Sequence, residues 1–210
     1  MNDDYKKTCV DCGVKNCETL DKEYPEFCLT TELSAETIEK VRKLYEEEEN
    51  NRVSVISAEI ENEFYQKYTR VQEVVEFAKR MGFRRIGIAT CVGLLEESRV
   101  LARILRKNGF EVYGAACKIG SFEKRSVGVP EEAMTNTGAI MCNPIMQATV
   151  LNKAGTDFNV VMGLCVGHDS LFYKYSEALV TTLVAKDRVL AHNPAGALYQ
   201  VGSYYKKLVK

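Results

Sequence analysis

Apolar positions along this chain change period near residue 84, and the change marks where helices give way to a sheet. From residue 34 the spacing is helical. Ser34 caps a helix predicted over 35–49, with Ile38, Val41, Leu44 and Tyr45 on one stripe and the acidic run 46–49 as a solvated face. A second helix is expected from 53 to about 66. Thr69 caps a third, with Val71, Val74, Val75 and Ala78 inward and Gly82 ending it. Short β-branched runs then alternate with amphipathic stretches. A strand over 84–90 leads to a helix over 94–108, with Leu94, Leu101, Ile104 and Leu105 inward and Gly109 as its stop, and a strand follows over 111–116. The polar connection 118–132 is long for a compact domain and reads as a functional loop. Residues 139–141 read as a short strand. Asn143 as N-cap and Pro144 at the first position open a helix to about 153. The central strand is 158–164, followed by a short helix over 170–177, strands over 180–184 and 188–191, and a last helix over 194–204.

This order predicts an α/β fold: a Rossmann-like open, mostly parallel sheet flanked by helices. Residues 1–32 are expected to form a small four-cysteine metal-binding knuckle and 33–210 an α/β domain, with 33–82 a helical lead-in and 83–210 the sheet core. Composition agrees with a globular chain: 210 residues, 46% hydrophobic and 27% charged. The balance of 28 basic against 29 acidic residues leaves no basic stripe, so nucleic acid is not an expected partner. No apolar run is long enough to span a bilayer, and Met1-Asn-Asp-Asp-Tyr-Lys-Lys has no apolar core of a signal peptide. A cytoplasmic location follows as the expectation. The expected partner is a small-molecule ligand or an electron-transfer protein, not a membrane.

In a reducing compartment, eight cysteines are ligands or reactive thiols sooner than disulfides. Four stand in Cys9-x2-Cys12-Gly13-x3-Cys17-x10-Cys28. Four thiolates suit either tetrahedral zinc or an iron–sulfur cluster, and the spacing leaves both open. The segment is poor in apolar residues, so metal binding would supply its folding energy. The other four, Cys91, Cys117, Cys142 and Cys165, each follow a predicted strand, as do both histidines of the chain, His168 and His192. Any one of these cysteines could be a small core residue. All four at strand ends point to a shared sulfur-lined site, because ligands of open parallel sheets bind there. Such a site could hold a [4Fe–4S] cluster, favoured if it is metallated. Zinc on mixed Cys and His ligands, or a bare thiolate at a helix N-terminus, is the alternative.

His168, three residues beyond Cys165 in Cys165-x2-His168, reads as a ligand or general acid/base. Asp169 reads as its partner or a helix N-cap, and Lys118 as a counter-charge to anionic sulfur. Neighbours in sequence do not make a Ser–His–Asp triad, and neither a phosphate loop nor a G-x-G-x-x-G motif is present. The functions that fit are an iron–sulfur or thiol-dependent oxidoreductase or lyase, a non-catalytic metal or sulfur carrier or sensor, and a zinc-stabilised thiol enzyme.

The run Gly163-Leu-Cys-Val-Gly-His-Asp-Ser-Leu-Phe-Tyr-Lys-Tyr-Ser-Glu177, then Val180-Thr-Thr-Leu-Val184, Lys186-Asp-Arg188 and His192-Asn-Pro194, resembles an uncharacterised bacterial and archaeal family, the domain of unknown function numbered 1847. The N-terminal Cys9-x2-Cys12-Gly13-x3-Cys17 is similar to that family's as well. Its members are often labelled "metal-binding protein". One departure is Leu179, where a proline is expected. The resemblance implies metal binding and one α/β domain, and it implies no reaction.

Overall fold

Arg85–Thr90 (β1) is buried from its second residue onward and Phe158–Met162 (β3) along its whole length, as strands covered on both faces must be. In the computed structural model, which describes residues 5–209, they are the two middle strands of a four-stranded sheet. The first four residues of the expected 1–32 segment and the final residue, Lys210, lie outside the described residues. Glu111–Ala116 (β2) and Leu179–Val184 (β4) complete the order β2-β1-β3-β4, and every neighbouring pair is parallel. The expected fold class is the observed one.

The chain divides into two compact units, Met1–Val55 and Ile56–Lys210. In the first, helix α1 (Ala35–Leu44) starts where Ser34 accepts a hydrogen bond from the Thr37 amide at 3.1 Å. It ends five residues before the predicted 49, because Glu48 already begins α2 (Glu48–Phe64). Two glutamates in that first turn complement the helix dipole. The apolar stripe of α1, Ile38, Val41, Leu44 and Tyr45, is exposed. The division between units falls inside α2, rather than at residue 32, and only the second half of that helix carries buried residues, Ile56 and Ile60.

In the second unit, α3 (Arg70–Arg80) opens with a reciprocal capping box between Thr69 and Gln72. It closes on Gly82, where Phe83 N–H reaches Ala78 O and Gly82 N–H reaches Lys79 O, both at 3.0 Å. With α4 (Leu95–Lys107) it covers one face of the sheet, packing Val74, Val75, Ala78, Leu101 and Leu105 on Ile86, Ile88 and Val160. The opposite face takes α5 (Pro144–Lys153) and α6 (His168–Tyr175), with Ala148, Leu151 and Phe172 on Ala89 and Val161. Successive strand residues thus serve opposite layers. A short helix α7 (Ala195–Tyr199) follows, half the length predicted for 194–204.

Two predicted strands are absent. Ile140 makes only an isolated bridge to Glu123, because the backbone turns at once into the Asn143 cap of α5. Residues 188–191 form a turn held by Asp187, whose carboxylate accepts the amides of Val189 and Leu190, both at 2.8 Å. Left-handed backbone at Ala191 and His192 completes it. Cys142 and His192 therefore do not sit at strand ends.

Candidate functional site

The chain leaves the two middle strands toward opposite sides of the sheet, β1 on to β2 and β3 on to β4. A parallel sheet opens a crevice at such a point, outside the carboxyl ends of its strands. Cys91 follows β1 directly, and residues 163–165 follow β3. Gly163 adopts φ 67°, and its N–H reaches Val184 O at 2.7 Å. A Cβ there would lie 2.1 Å from Leu94 Cδ1, so close packing of Leu94 under this turn requires glycine.

Cys117 ends β2 and is 2% exposed. Its N–H reaches Thr90 O at 2.8 Å, and its sulfur accepts the Val92 amide at 3.4 Å. Cys142 arrives by a different route, since Asn143 N–H donates to Cys117 O at 2.7 Å and pins the start of α5 beside β2. The Asn143 side chain also caps that helix through the Met146 amide at 3.0 Å. Gln147, one turn on and fully buried, donates to Thr90 O at 3.1 Å and Ala115 O at 2.7 Å. The helix is thereby fastened to the ends of both strands.

Cys91, Cys117 and Cys142 form a row with Cys117 in the middle. The hydrogen bond from Cys117 lowers the Cys91 pKa, with the Gly93 amide and Lys186 adding to it against the effect of burial. Cys142 is lowered by Cys117 first and His168 second. Cys117 is raised, by Cys142 first, then Cys91, then burial. Adjacent thiols resist ionising together, so the outer two are lowered at the expense of the middle one. His168 is raised by facing Cys142. On the far side, Arg188 donates to Cys165 Sγ at 3.1 Å, and its pKa is raised chiefly by that contact, with charge on Cys91 and Cys142 contributing.

Arg188 thus stands between Cys165 and the row of Cys91, Cys117 and Cys142. Lys118 is there too, half-buried, with Nζ 2.6 Å from Ile140 O and its charge acting on Cys142 and His168. Asp169 lies within the first turn of α6 rather than at its N-cap, which is Gly167, and accepts the Ser170 amide at 2.8 Å. Its charge helps raise the His168 pKa. His192 is spent locally, its Nδ1 accepting the Asp187 amide at 3.1 Å. Sequence reasoning missed Lys186 and Arg188 as members of the site. Their signal was two cations immediately beyond the fourth strand, obscured by reading 188–191 as a strand.

In the N-terminal unit, Cys9 and Cys12 flank a single 3-10 turn, Cys9–Asp11, closed by Asp11 accepting the Thr8 amide at 2.8 Å. Short helical turns Asn16–Thr19 and Leu29–Glu32 bring in Cys17 and Cys28. All four cysteines line one cavity of about 150 Å³. Between residues 5 and 33 the only buried side chain is Asn16, whose Oδ1 accepts the Lys22 amide at 2.8 Å.

Among the described residues, no three Cys, His, Asp or Glu side chains are grouped to hold a single metal ion. The donor chemistry nevertheless fits a sulfur-ligated group in both places. Beside Cys142, His168 Nδ1 and Asn143 Nδ2 are buried with no hydrogen-bond partner. Each such atom costs about 1–3 kcal/mol, which a bound group could recover.

The family model described as "Protein of unknown function (DUF1847)" matches residues 28–183. An uncharacterized protein of Methanocaldococcus jannaschii is 43% identical over 204 residues, covering 96% of this chain and 98% of the relative. Among solved structures, the crystal structure of Dph2 from Pyrococcus horikoshii with a 4Fe-4S cluster aligns over 67% of this chain at 20% identity and a TM-score of 0.36. The chain spans 33% of that protein's length. No helix among the described residues is long and apolar enough to cross a membrane.

Proposed function

This chain belongs to the DUF1847 family of proteins of unknown function, and we propose that it is an iron–sulfur protein whose sheet-edge sulfurs form its reactive centre. The observation that carries this reading is the gathering of Cys91, Cys117, Cys142 and Cys165 at the crevice between β1 and β3, with Lys118, Lys186, Arg188 and His168 beside them. Thiolates crowded together repel, and iron ligated by thiolate and sulfide is anionic as well. Four cationic or proton-accepting groups offset that charge.

Cys9, Cys12, Cys17 and Cys28 would hold one cluster. They line a cavity in a segment with almost no apolar core, where a bound group would contribute the folding energy. Four cysteines on one cavity are the donor set of a [4Fe–4S] cluster, the reading carried forward, with one zinc ion as the alternative. Cys91, Cys117 and Cys142, with Cys165 or His168, would hold the second. A cluster supplies one-electron transfer or an open iron. Around it His168 is the group placed to hold or move a proton, with Asp169 and Lys118 setting its charge. Our reading is a cytoplasmic redox or iron–sulfur enzyme that acts on a small molecule or exchanges electrons with a partner.

The row of sulfurs, with no three around a point, favours a second reading: a thiol centre, or a metal or sulfur carrier, stabilised by metal only in the N-terminal unit. Cys142→Ser and Cys12→Ser variants purified without oxygen separate the two. The cluster reading expects each variant to lose part, not all, of the iron and acid-labile sulfide, with the α/β unit staying folded in both and Cys12→Ser unfolding the N-terminal segment along with its cluster. Full metal content in Cys142→Ser would sink it and leave the thiol reading.

A further inference from the structure

On the sheet face away from the sulfurs, a groove of about 640 Å³ runs between α4 and the edge strand β2. That volume is within the span of small-ligand sites, about 300–1,000 Å³. The groove exists because β2 is built small. Its floor is Ile88, Val112, Gly114 and Ala116, and a Cβ added at Gly114 would meet no atom within 4 Å. Beyond Val112, where a strand filled by its own helix would carry further branched side chains, β2 has Gly114 and Ala116.

The rim carries three arginines against one carboxylate, Glu96. Arg99, Arg103 and Arg106 all line the groove from α4. Their spacing of four and three residues places them on one helix face, where like charges repel. Arg99 is paired with Glu96. Arg103 and Arg106 have no acidic partner among the described residues. At one end the buried hydroxyls of Ser98 and Thr90 are hydrogen-bonded to each other at 2.7 Å. Two unpaired guanidinium forks over a flat apolar floor are complementary to a molecule with a flat apolar body and an anionic head.

We infer that this groove is a binding site for a small organic anion, a phosphate monoester or carboxylate with an apolar body, whose head pairs with Arg103 and Arg106. The body lies on Gly114 and Ala116. The site stands independently of any metal, because the sulfurs face the other layer of the sheet.

The test is titration of the full chain with phenyl phosphate and, separately, inorganic phosphate, followed by calorimetry. Wild type binds phenyl phosphate saturably. The double variant Arg103→Gln/Arg106→Gln, altered only at exposed positions, weakens both probes by roughly tenfold or more, the usual worth of a charged hydrogen bond. Gly114→Leu fills the groove and weakens phenyl phosphate while leaving inorganic phosphate unchanged. Equal affinity in wild type and the arginine variant, or no saturable binding to wild type, overturns the proposal. So does a wild-type dimer that Gly114→Leu splits into monomers, since the groove would then be covered by a second copy.

Discussion

Gly163 shows how one residue without a side chain places a functional one. Its left-handed backbone turns the chain from β3 toward Cys165, and Leu94 fills the space a side chain would need. Gly163→Ala is therefore expected to lower stability by about 1–3 kcal/mol, from backbone strain and overpacking together, as measured by urea unfolding. Gly87 is held by the same kind of constraint, since a Cβ there would lie 1.9 Å from Asn159 Oδ1. That amide is fully buried and bonded to Thr156 and Ser176. Neither glycine's role was legible in the sequence, because each depends on a partner about 70 residues away or in another turn. Cys91 and Cys117 were legible, because a position one residue past a strand is a local property, whereas Cys142 and Cys165 arrive through turns. Arg188 was not, since its value lies in reaching Cys165 across 23 residues.

At the scale of elements, caps were the most legible signals. Ser34, Thr69 and Asn143 each cap the helix predicted for them, because a cap is satisfied within three residues. The failures at 139–141 and 188–191 are short apolar runs whose fate is set by neighbours: the Asn143 turn in one case, the Asp187 carboxylate in the other. Helix α5 carries the consequence for the site. Its start supplies Cys142, and its buried Gln147 ties it to the strand ends that precede Cys91 and Cys117. Gln147→Leu keeps the volume and removes both bonds. We expect it to cost about 1–3 kcal/mol in chemical unfolding, the usual penalty for stranding buried polar partners. Cysteine alkylation in that variant should rise at Cys117 and Cys142 as α5 loosens, with Cys9 unchanged as the internal reference.

At the scale of the whole molecule, the strand order β2-β1-β3-β4 decides where chemistry can occur. The order makes β1 and β3 the strands from which the chain departs in opposite directions, and both are followed by cysteine. Alternating strands and helices predicted an open parallel sheet, but not which strands would be central. That depends on the pairing of β1 with β3, Ile86 beside Phe158, and only the sheet itself shows it. The eight cysteines fall into two groups of four, one in each compact unit. The account rests on both groups being ligands. Its most direct test is iron, zinc and acid-labile sulfide per chain, measured with a visible spectrum on protein purified without oxygen. The account predicts brown protein with iron and sulfide in equal amounts. Colourless protein carrying one zinc per chain, or no metal at all, would contradict it.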